Sequence, residues 1–155
     1  MKSLLRLSLL LVVGVLVSVA AARPRPEIMG ISLDMKRDAA VARLKTIGNL
    51  ERETRKRQEV WAVKDARISH LLVGYDADNR VRYVTAIARP DGPRIRYQEV
   101  ADMKSAQRSG TPGNHKFTWE IEGRRGFILI ARGHDAQYLD TYSIKKNDQE
   151  EEDID

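Results

Sequence analysis

The chain has 155 residues, of which 42% are hydrophobic and 32% are charged; its formal net charge is +5 and it has no cysteine. One domain is the natural count for this length, and the apolar content excludes a wholly disordered chain. Without cysteine, the chain has no disulfides, thiolate metal sites, cysteine nucleophiles or lipid-modified cysteine anchor.

The N-terminus has the pattern of a secretory signal. Lys2 and Arg6 precede an apolar run from Leu7 to Val19, and three alanines follow at positions 20–22. This pattern predicts a signal peptide over residues 1–22, cleaved near Ala22. The apolar run is shorter than the ~20 residues that cross a bilayer, so an uncleaved inner-membrane anchor is the less favoured alternative. We therefore expect an exported protein, periplasmic or extracellular, that begins with a Pro- and Arg-rich linker over residues 23–30.

The charges are distributed unevenly along the exported chain. Six acidic residues lie among the last eight, whereas residues 23–147 hold 25 basic and 16 acidic side chains. Blocks of like charge are usually solvated. We therefore expect a single basic domain over residues 31–146, followed by a disordered acidic tail over residues 147–155.

The first predicted element of the domain is a helix over residues 36–47. Ala40, Val41, Leu44 and Ile47 recur at intervals of three and four residues, which forms one apolar stripe. Gly48 is expected to end the helix in the left-handed conformation. The charged stretch 50–58 fits either a polar helical turn or an extended connector.

Strands dominate the rest of the chain. Short apolar or alternating runs predict strands at 60–63, 70–75, 81–88, 116–122, 127–132 and 138–144. A second helix is expected over residues 97–108, followed by a loop at 109–114. The short spacing between strands favours antiparallel pairing. The fold class is therefore α+β, with one or two short helices packed on an antiparallel sheet of about six strands. The order α-β-β-β-α-β-β-β is compatible with a degenerate duplication.

The sequence carries no catalytic or metal-binding signature. The three histidines lack metal-ligand spacing, and His134-Asp135 is better explained as a turn than as a catalytic dyad. No nucleotide-binding glycine pattern is present. We therefore expect no catalytic residues, no metal and no cofactor. The alternative is an unrecognised envelope glycan hydrolase that uses Glu120 and Glu122, which a strand over 116–122 would place on one face.

Arginines are concentrated at two places, around residues 52–57 and around residues 80–96. Basic patches attract anionic surfaces. Export makes nucleic acid a poor partner, so an anionic envelope surface is the relevant alternative to a merely solvated basic face.

Residues 30–88 resemble a known family. The run Ile31-Ser32-Leu33-Asp34-Met35-Lys36-Arg37-Asp38, with Val41, Leu44, Gly48, Trp61, Leu72-Val73-Gly74-Tyr75-Asp76 and Arg80-Val81, resembles the SmpA/OmlA (BamE) family of small outer-membrane assembly lipoproteins. The resemblance implies a fold similar to that of the β-lactamase-inhibitor protein, with helices on one face of an antiparallel sheet. It also implies a non-catalytic binding role in the bacterial envelope. Asp34 stands where the family has glycine, and no lipidated cysteine is present. A PepSY-like inhibitory module is a second similar pattern.

These observations favour a binding module that engages an envelope protein through an exposed sheet face; the sequence does not indicate its oligomeric state. Aromatic and arginine side chains dominate binding hot spots. Trp61, Tyr75, Tyr83 and Trp119 are candidate aromatic anchors, although core packing competes for each of them, and most strongly for Tyr83 and Trp119. The candidate binding residues are Trp61, His70, Tyr75, Arg80, Arg82, Arg55 and Arg57.

Overall fold

The computed structural model describes residues 22–54, 57–123 and 126–147. The predicted signal segment before Ala22, Arg55 and the tail after Asn147 lie outside the described residues. No helix in the described part of the chain is long and apolar enough to cross a membrane.

The described part of the chain is mainly β, with two short α-helices and one 3₁₀ turn. The elements in order are β1 (Glu27–Ile28), β2 (Ile31–Ser32), α1 (Arg37–Ile47), β3 (Gly48–Thr54), β4 (Gln58–Val63), β5 (Ile68–Tyr75), β6 (Val81–Ala88), β7 (Ile95–Arg96), α2 (Tyr97–Val100), a 3₁₀ turn (Met103–Ser105), β8 (Gln107–Thr111), β9 (Asn114–Glu120), β10 (Phe127–Gly133), β11 (Tyr138–Leu139) and β12 (Thr141–Lys146).

Eight strands form one antiparallel sheet in the order β3-β4-β5-β6-β12-β10-β9-β8, and two small two-stranded sheets, β1-β2 and β11-β7, accompany it. The prediction of an antiparallel sheet with helices is confirmed, but the sheet has eight strands and not about six. The two additional strands are its edges, β3 and β8. Both are polar, with mostly exposed side chains, so neither shows the apolar alternation that marks a strand in a sequence.

The helix α1 forms where the apolar stripe predicts it. Ala40 and Leu44 are fully buried, and Val41 and Ile47 pack partly against the same core. The core lies between one face of the large sheet and a layer that includes α1 and β1-β2. We call this side of the sheet the covered face.

Gly48 follows the helix in extended backbone, with φ −170°, so the predicted left-handed helix end is wrong. The glycine is required for a different reason: a β-carbon at this position would lie 2.2 Å from the carbonyl oxygen of Ala62. The chain enters β3 directly, and the ambiguous stretch after Leu50 is therefore an edge strand up to Thr54.

Two other boundaries differ from the predictions. The second helix spans only Tyr97–Val100, because Ala101 returns to extended backbone and the chain then forms the 3₁₀ turn and β8. The predicted linker includes a strand: Ile28 is 2% exposed and pairs with Ile31. The domain therefore begins a few residues before position 31.

Candidate functional site: the open face of the sheet

Among the described residues, no helix packs on the side of the large sheet opposite the covered face. Strand pairing aligns its side chains in three rows. The rows run Arg52-Val60-Leu72-Thr85-Ser143-Ile130-Thr118-Gln107, then Asn49-Ala62-His70-Ile87-Thr141-Arg132-Lys116-Ser109, then Thr54-Gln58-Gly74-Tyr83-Lys145-Ile128-Glu120. We call this surface the open face.

Burial distinguishes the two faces along single strands. On β5, Leu71 and Val73 are fully buried, whereas Leu72 between them is only partly buried. Val60 and Ile130 are shielded by their neighbours on the open face, yet neither belongs to the main core cluster. The open face therefore also carries apolar side chains, which are buried less completely than those of the core.

The open face has two chemically different halves. On β4, β5 and β6 the side chains are mainly apolar, aromatic or hydroxyl-bearing, including Val60, Leu72, Tyr83 and Ile87. We call this the apolar half. On β12, β10, β9 and β8 the open face carries Lys145, Arg132, Lys116 and Glu120 among Ile128, Ile130 and hydroxyl groups. We call this the basic half.

Hydrogen bonds fix several side chains of the open face in place. The hydroxyl groups of Thr85 and Ser143 are 2.8 Å apart and join β6 to β12 at the boundary between the halves. The Tyr83 hydroxyl donates to Oε1 of Gln58 at 2.5 Å, and burial raises the pKa of this phenol. These two hydrogen bonds fix the positions of the Tyr83 and Thr85 side chains on the open face.

Of the predicted binding residues, His70 lies on the open face. It is partly buried, and its Nε2 is 3.2 Å from Oε2 of Glu51, which lies at the bulge of the edge strand β3. This ion pair forms when the imidazole is protonated. Among the aromatic candidates, Tyr83 lies on the open face. The sequence alone favours core packing for this residue.

Trp61 and Tyr75 do not lie on the open face. They are 2% and 6% exposed and belong to the core on the covered face. Trp119, at 1% exposure, is also in the core. In a sheet the face alternates with each residue, so the large rings on these strands are buried while their smaller neighbours are presented outward.

Trp61 and Tyr75 share a partner that sequence reasoning missed. The buried carboxylate of Glu59 accepts hydrogen bonds at Oε2 from Nε1 of Trp61 and from the hydroxyl of Tyr75, each at 2.9 Å. Its Oε1 accepts from Nε and Nη2 of Arg37 at 3.0 and 2.7 Å. Arg37 Nη2 also contacts Glu53 at 2.7 Å. The signal in the sequence was a glutamate directly before the apolar run of β4.

The Glu59 carboxylate favours the protonated forms of the two titratable side chains that donate to it, Arg37 and Tyr75. The hydrogen bond to Glu59 raises the pKa of Arg37, and burial, together with the same carboxylate, raises the pKa of Tyr75. All four acceptor contacts of Glu59 are satisfied, so the cluster ties α1 to β4 and β5. Its geometry is that of a structural network, since no reactive group is left unpaired.

The predicted binding residues Arg57, Arg80 and Arg82 lie at one end of the β5–β6 hairpin. Arg57 Nη1 donates to the carbonyl oxygen of Asp76 at 2.9 Å, and Arg80 Nη1 donates to that of Asp34 at 2.9 Å. Arg82 is exposed near the register shift of this hairpin. The structure brings Arg57 and Arg80 to the hairpin end and uses both to hold turns, apart from the rows of the open face.

The catalytic alternatives have little geometric support. Glu120 lies on the open face, but β9 ends there and Glu122 is in the following turn, so the two carboxylates do not share a strand face as predicted. His134 pairs with Asp140, at 2.6 Å from Nδ1 to Oδ2, and not with Asp135. The His134 side chain is 73% exposed. Within the described ranges, no three His, Asp or Glu side chains are gathered as a metal ion requires.

A cleft of about 520 Å³ lies on the covered side, between residues 22–30 and α2. Its rim includes Arg23, Arg25, Arg43 and Arg67. Two of these are engaged: Arg67 Nη1 contacts Glu99 Oε2 at 2.7 Å, and Arg43 Nε donates to the carbonyl oxygen of Met29 at 3.2 Å. The Arg43 contact therefore ties the N-terminal segment to α1, and the Arg67 contact ties the connection between β4 and β5 to α2.

Comparison with known proteins found no matching protein family, no similar curated protein and no similar solved structure.

Proposed function

We propose that this protein is an exported, non-catalytic binding module that engages a protein partner of the bacterial envelope through the open face, with the apolar half as the centre of contact. One observation carries the proposal: in the part of the chain that the structure describes, the eight-stranded sheet is packed on one face, and its other face presents partly buried apolar side chains. Leu72, Tyr83 and Ile87 are partly exposed there, and contiguous apolar surface that reaches solvent marks interaction sites.

The size of the open face suits a protein partner. Eight strands at ~4.8 Å spacing extend about 34 Å across the sheet, and six residues extend about 20 Å along it. The product is close to the ~800 Å² per partner of a standard protein interface. Tyr83 is the best candidate for a hot spot, because tyrosine combines a large apolar ring with a polar hydroxyl.

The proposal includes a relationship to the SmpA/OmlA family. Helices on one face of an antiparallel sheet are what the resemblance implies. Asp34, which stands where the family has glycine, has a φ of +65°, a left-handed conformation that favours glycine. This conformation supports the alignment of that position. An inhibitory module of the PepSY-like kind is the alternative within the same class, with an enzyme as the partner.

The proposal also includes an internal duplication. Each half of the sheet is a four-stranded meander preceded by a short helix, α1 before β3-β4-β5-β6 and α2 before β8-β9-β10-β12. The last strands of the two meanders, β6 and β12, pair at the centre. This symmetry supports a repeated unit of one helix and four strands, instead of the three strands expected from the sequence.

Affinity capture tests the proposed function. The exported chain is immobilised and titrated with envelope extract; we expect a saturable protein partner. The variant Leu72→Lys/Ile87→Lys should weaken capture at least about tenfold, since it places two charges in the apolar half. The control Ala39→Lys/Ala42→Lys adds the same charges to exposed positions of α1 and should capture normally. Equal capture by both variants, or no saturable partner, would overturn the proposal.

A further inference from the structure

We propose that the acidic C-terminal segment, residues 148–155, docks on the basic half of the open face and is its resident occupant. This inference stands without the proposed function, because the contact is within one chain and is measured on the isolated protein.

The first argument is where the segment leaves the sheet. Asn147 directly follows β12, and its backbone N–H donates to the carbonyl oxygen of Gly126 at 2.5 Å beside the start of β10. Asn147 lines a shallow concavity of about 480 Å³ on the basic half. The acidic segment therefore starts at the edge of the surface on which it is proposed to dock.

The second argument is charge. The side chains of Lys116 and Lys145 line the concavity, and Glu120 is the single carboxylate among the described residues that line it. Within the described part of the chain, neither Lys116 nor Lys145 has an ion-pair partner. Six of the eight residues that follow Asn147 are acidic. The most acidic segment of the chain is thus tethered beside Lys116 and Lys145, which form no ion pair within the described structure.

The third argument is reach. Eight residues in extended conformation span about 26 Å. The distance from β12 across β10 and β9 to β8 is three strand spacings, or about 14 Å. A tether this short gives an effective concentration in the millimolar range, so individually weak, exposed ion pairs are sufficient to hold the segment on the surface for much of the time.

The contact must depend on salt. The ion pairs are exposed, and the screening length falls from about 10 Å at 0.1 M salt to about 3 Å at 1 M. Raising the salt concentration therefore releases the segment without unfolding the sheet.

Distances between two spin labels test the proposal on the exported chain. Because the chain has no cysteine, Ser109→Cys with Ile154→Cys gives two unique labels, one on β8 and one in the acidic segment. We expect a short-distance population at 0.05 M salt that falls at least about threefold at 1 M. A second pair, Ala39→Cys with Ile154→Cys, reports on α1 and should show no such population.

Charge reversal locates the contact. Lys116→Glu/Lys145→Glu should abolish the short-distance population at 0.05 M salt, whereas Lys45→Glu/Lys64→Glu makes the same change of net charge at exposed sites elsewhere and should preserve it. A broad distribution that ignores salt, or an equal response to both reversals, would overturn the proposal. The salt titration requires no charge variant, so it remains decisive if a reversal variant does not fold.

Discussion

Tyr83 of β6 packs against the backbone of Gly74 on the neighbouring strand β5. A β-carbon built on Gly74 would lie 2.1 Å from Cε1 of the Tyr83 ring. The hydroxyl of the same ring reaches Gln58 on β4. The glycine therefore provides the space that holds Tyr83 across two strands of the apolar half.

Gly74→Ala should lower the free energy of unfolding by about 1–3 kcal/mol, because the methyl group displaces the Tyr83 ring. The same substitution in a Tyr83→Ala background should cost less than about 0.5 kcal/mol, since the obstacle is gone and alanine suits a strand better than glycine. Urea denaturation of the four proteins in this cycle measures the coupling. Additive effects would show that the two residues do not constrain each other.

The ion pair between the partly exposed Arg37 and the buried Glu59 predicts a clear effect of removing either side chain. Arg37→Ala leaves the buried carboxylate with its hydrogen bonds from Trp61 and Tyr75 but without its counter-charge, so we expect a loss of about 1–3 kcal/mol in the free energy of unfolding. Glu59→Ala should cost a similar amount, because it leaves Trp61 and Tyr75 without an acceptor.

Glu53→Gln is the matched control for this pair. Glu53 contacts the same guanidinium, but its side chain is 52% exposed, so its loss should cost less than about 1 kcal/mol. Thermal or urea denaturation compares the three variants. If Glu59→Ala were as mild as Glu53→Gln, the network would not be what fastens α1 to the sheet.

Leu71 and Leu72 are adjacent in sequence and lie on opposite faces of β5. Leu71→Ala should cost about 2–5 kcal/mol, because it opens a cavity in the core. Leu72→Ala should cost about 1 kcal/mol, because its side chain is only partly buried on the open face. The midpoints of urea denaturation measure the difference. Equal losses would mean that the open face is packed against something in the folded protein.

Alkaline pH should destabilise the fold through Tyr75. Burial and the hydrogen bond to Glu59 raise the pKa of this phenol above its ordinary value of about 10. Because the folded state resists losing the proton, its contribution is complete below pH ~10 and is lost as the pH rises toward the folded-state pKa. Burial raises the pKa of Tyr83, Tyr97 and Tyr142 in the same direction.

Tyr75→Phe should therefore reduce the fall in unfolding free energy above pH 10 by up to about 1.4 kcal/mol per pH unit. Urea denaturation between pH 8 and pH 11 measures this slope. Tyr138→Phe removes a partly exposed phenol and controls for the loss of one hydroxyl group. A slope for Tyr75→Phe that matched the wild-type protein would contradict the assigned environment of Tyr75.

Much of the fold could be predicted because local patterns are strong in this chain. The apolar stripe of α1 and the alternation of Phe117, Trp119 and Ile121 are direct consequences of burial on one side. The edge strands could not be predicted in this way. Leu50 is the only large apolar side chain in β3 and is 48% exposed, so pairing with β4, and not burial, makes this segment a strand.

The candidate site was harder to predict than the fold. The open face is continuous because β6 pairs with β12, which brings Thr85 beside Ser143, 58 positions away in the sequence. No local pattern records such a pairing. The alternation of a strand also does not say which of its faces is buried, and for this reason Trp61 and Tyr75 were expected at the surface.

Site-specific photo-crosslinking in intact cells tests whether the open face binds a protein partner. A photoreactive amino acid is placed at Thr85, Ile87 or Ser143 on the open face, and at Ala39, Lys45 or Asp91 as exposed controls. We expect a discrete crosslinked protein from the open-face positions and none from the controls. Crosslinks to one protein from the controls alone would contradict the assignment of the open face as the binding surface.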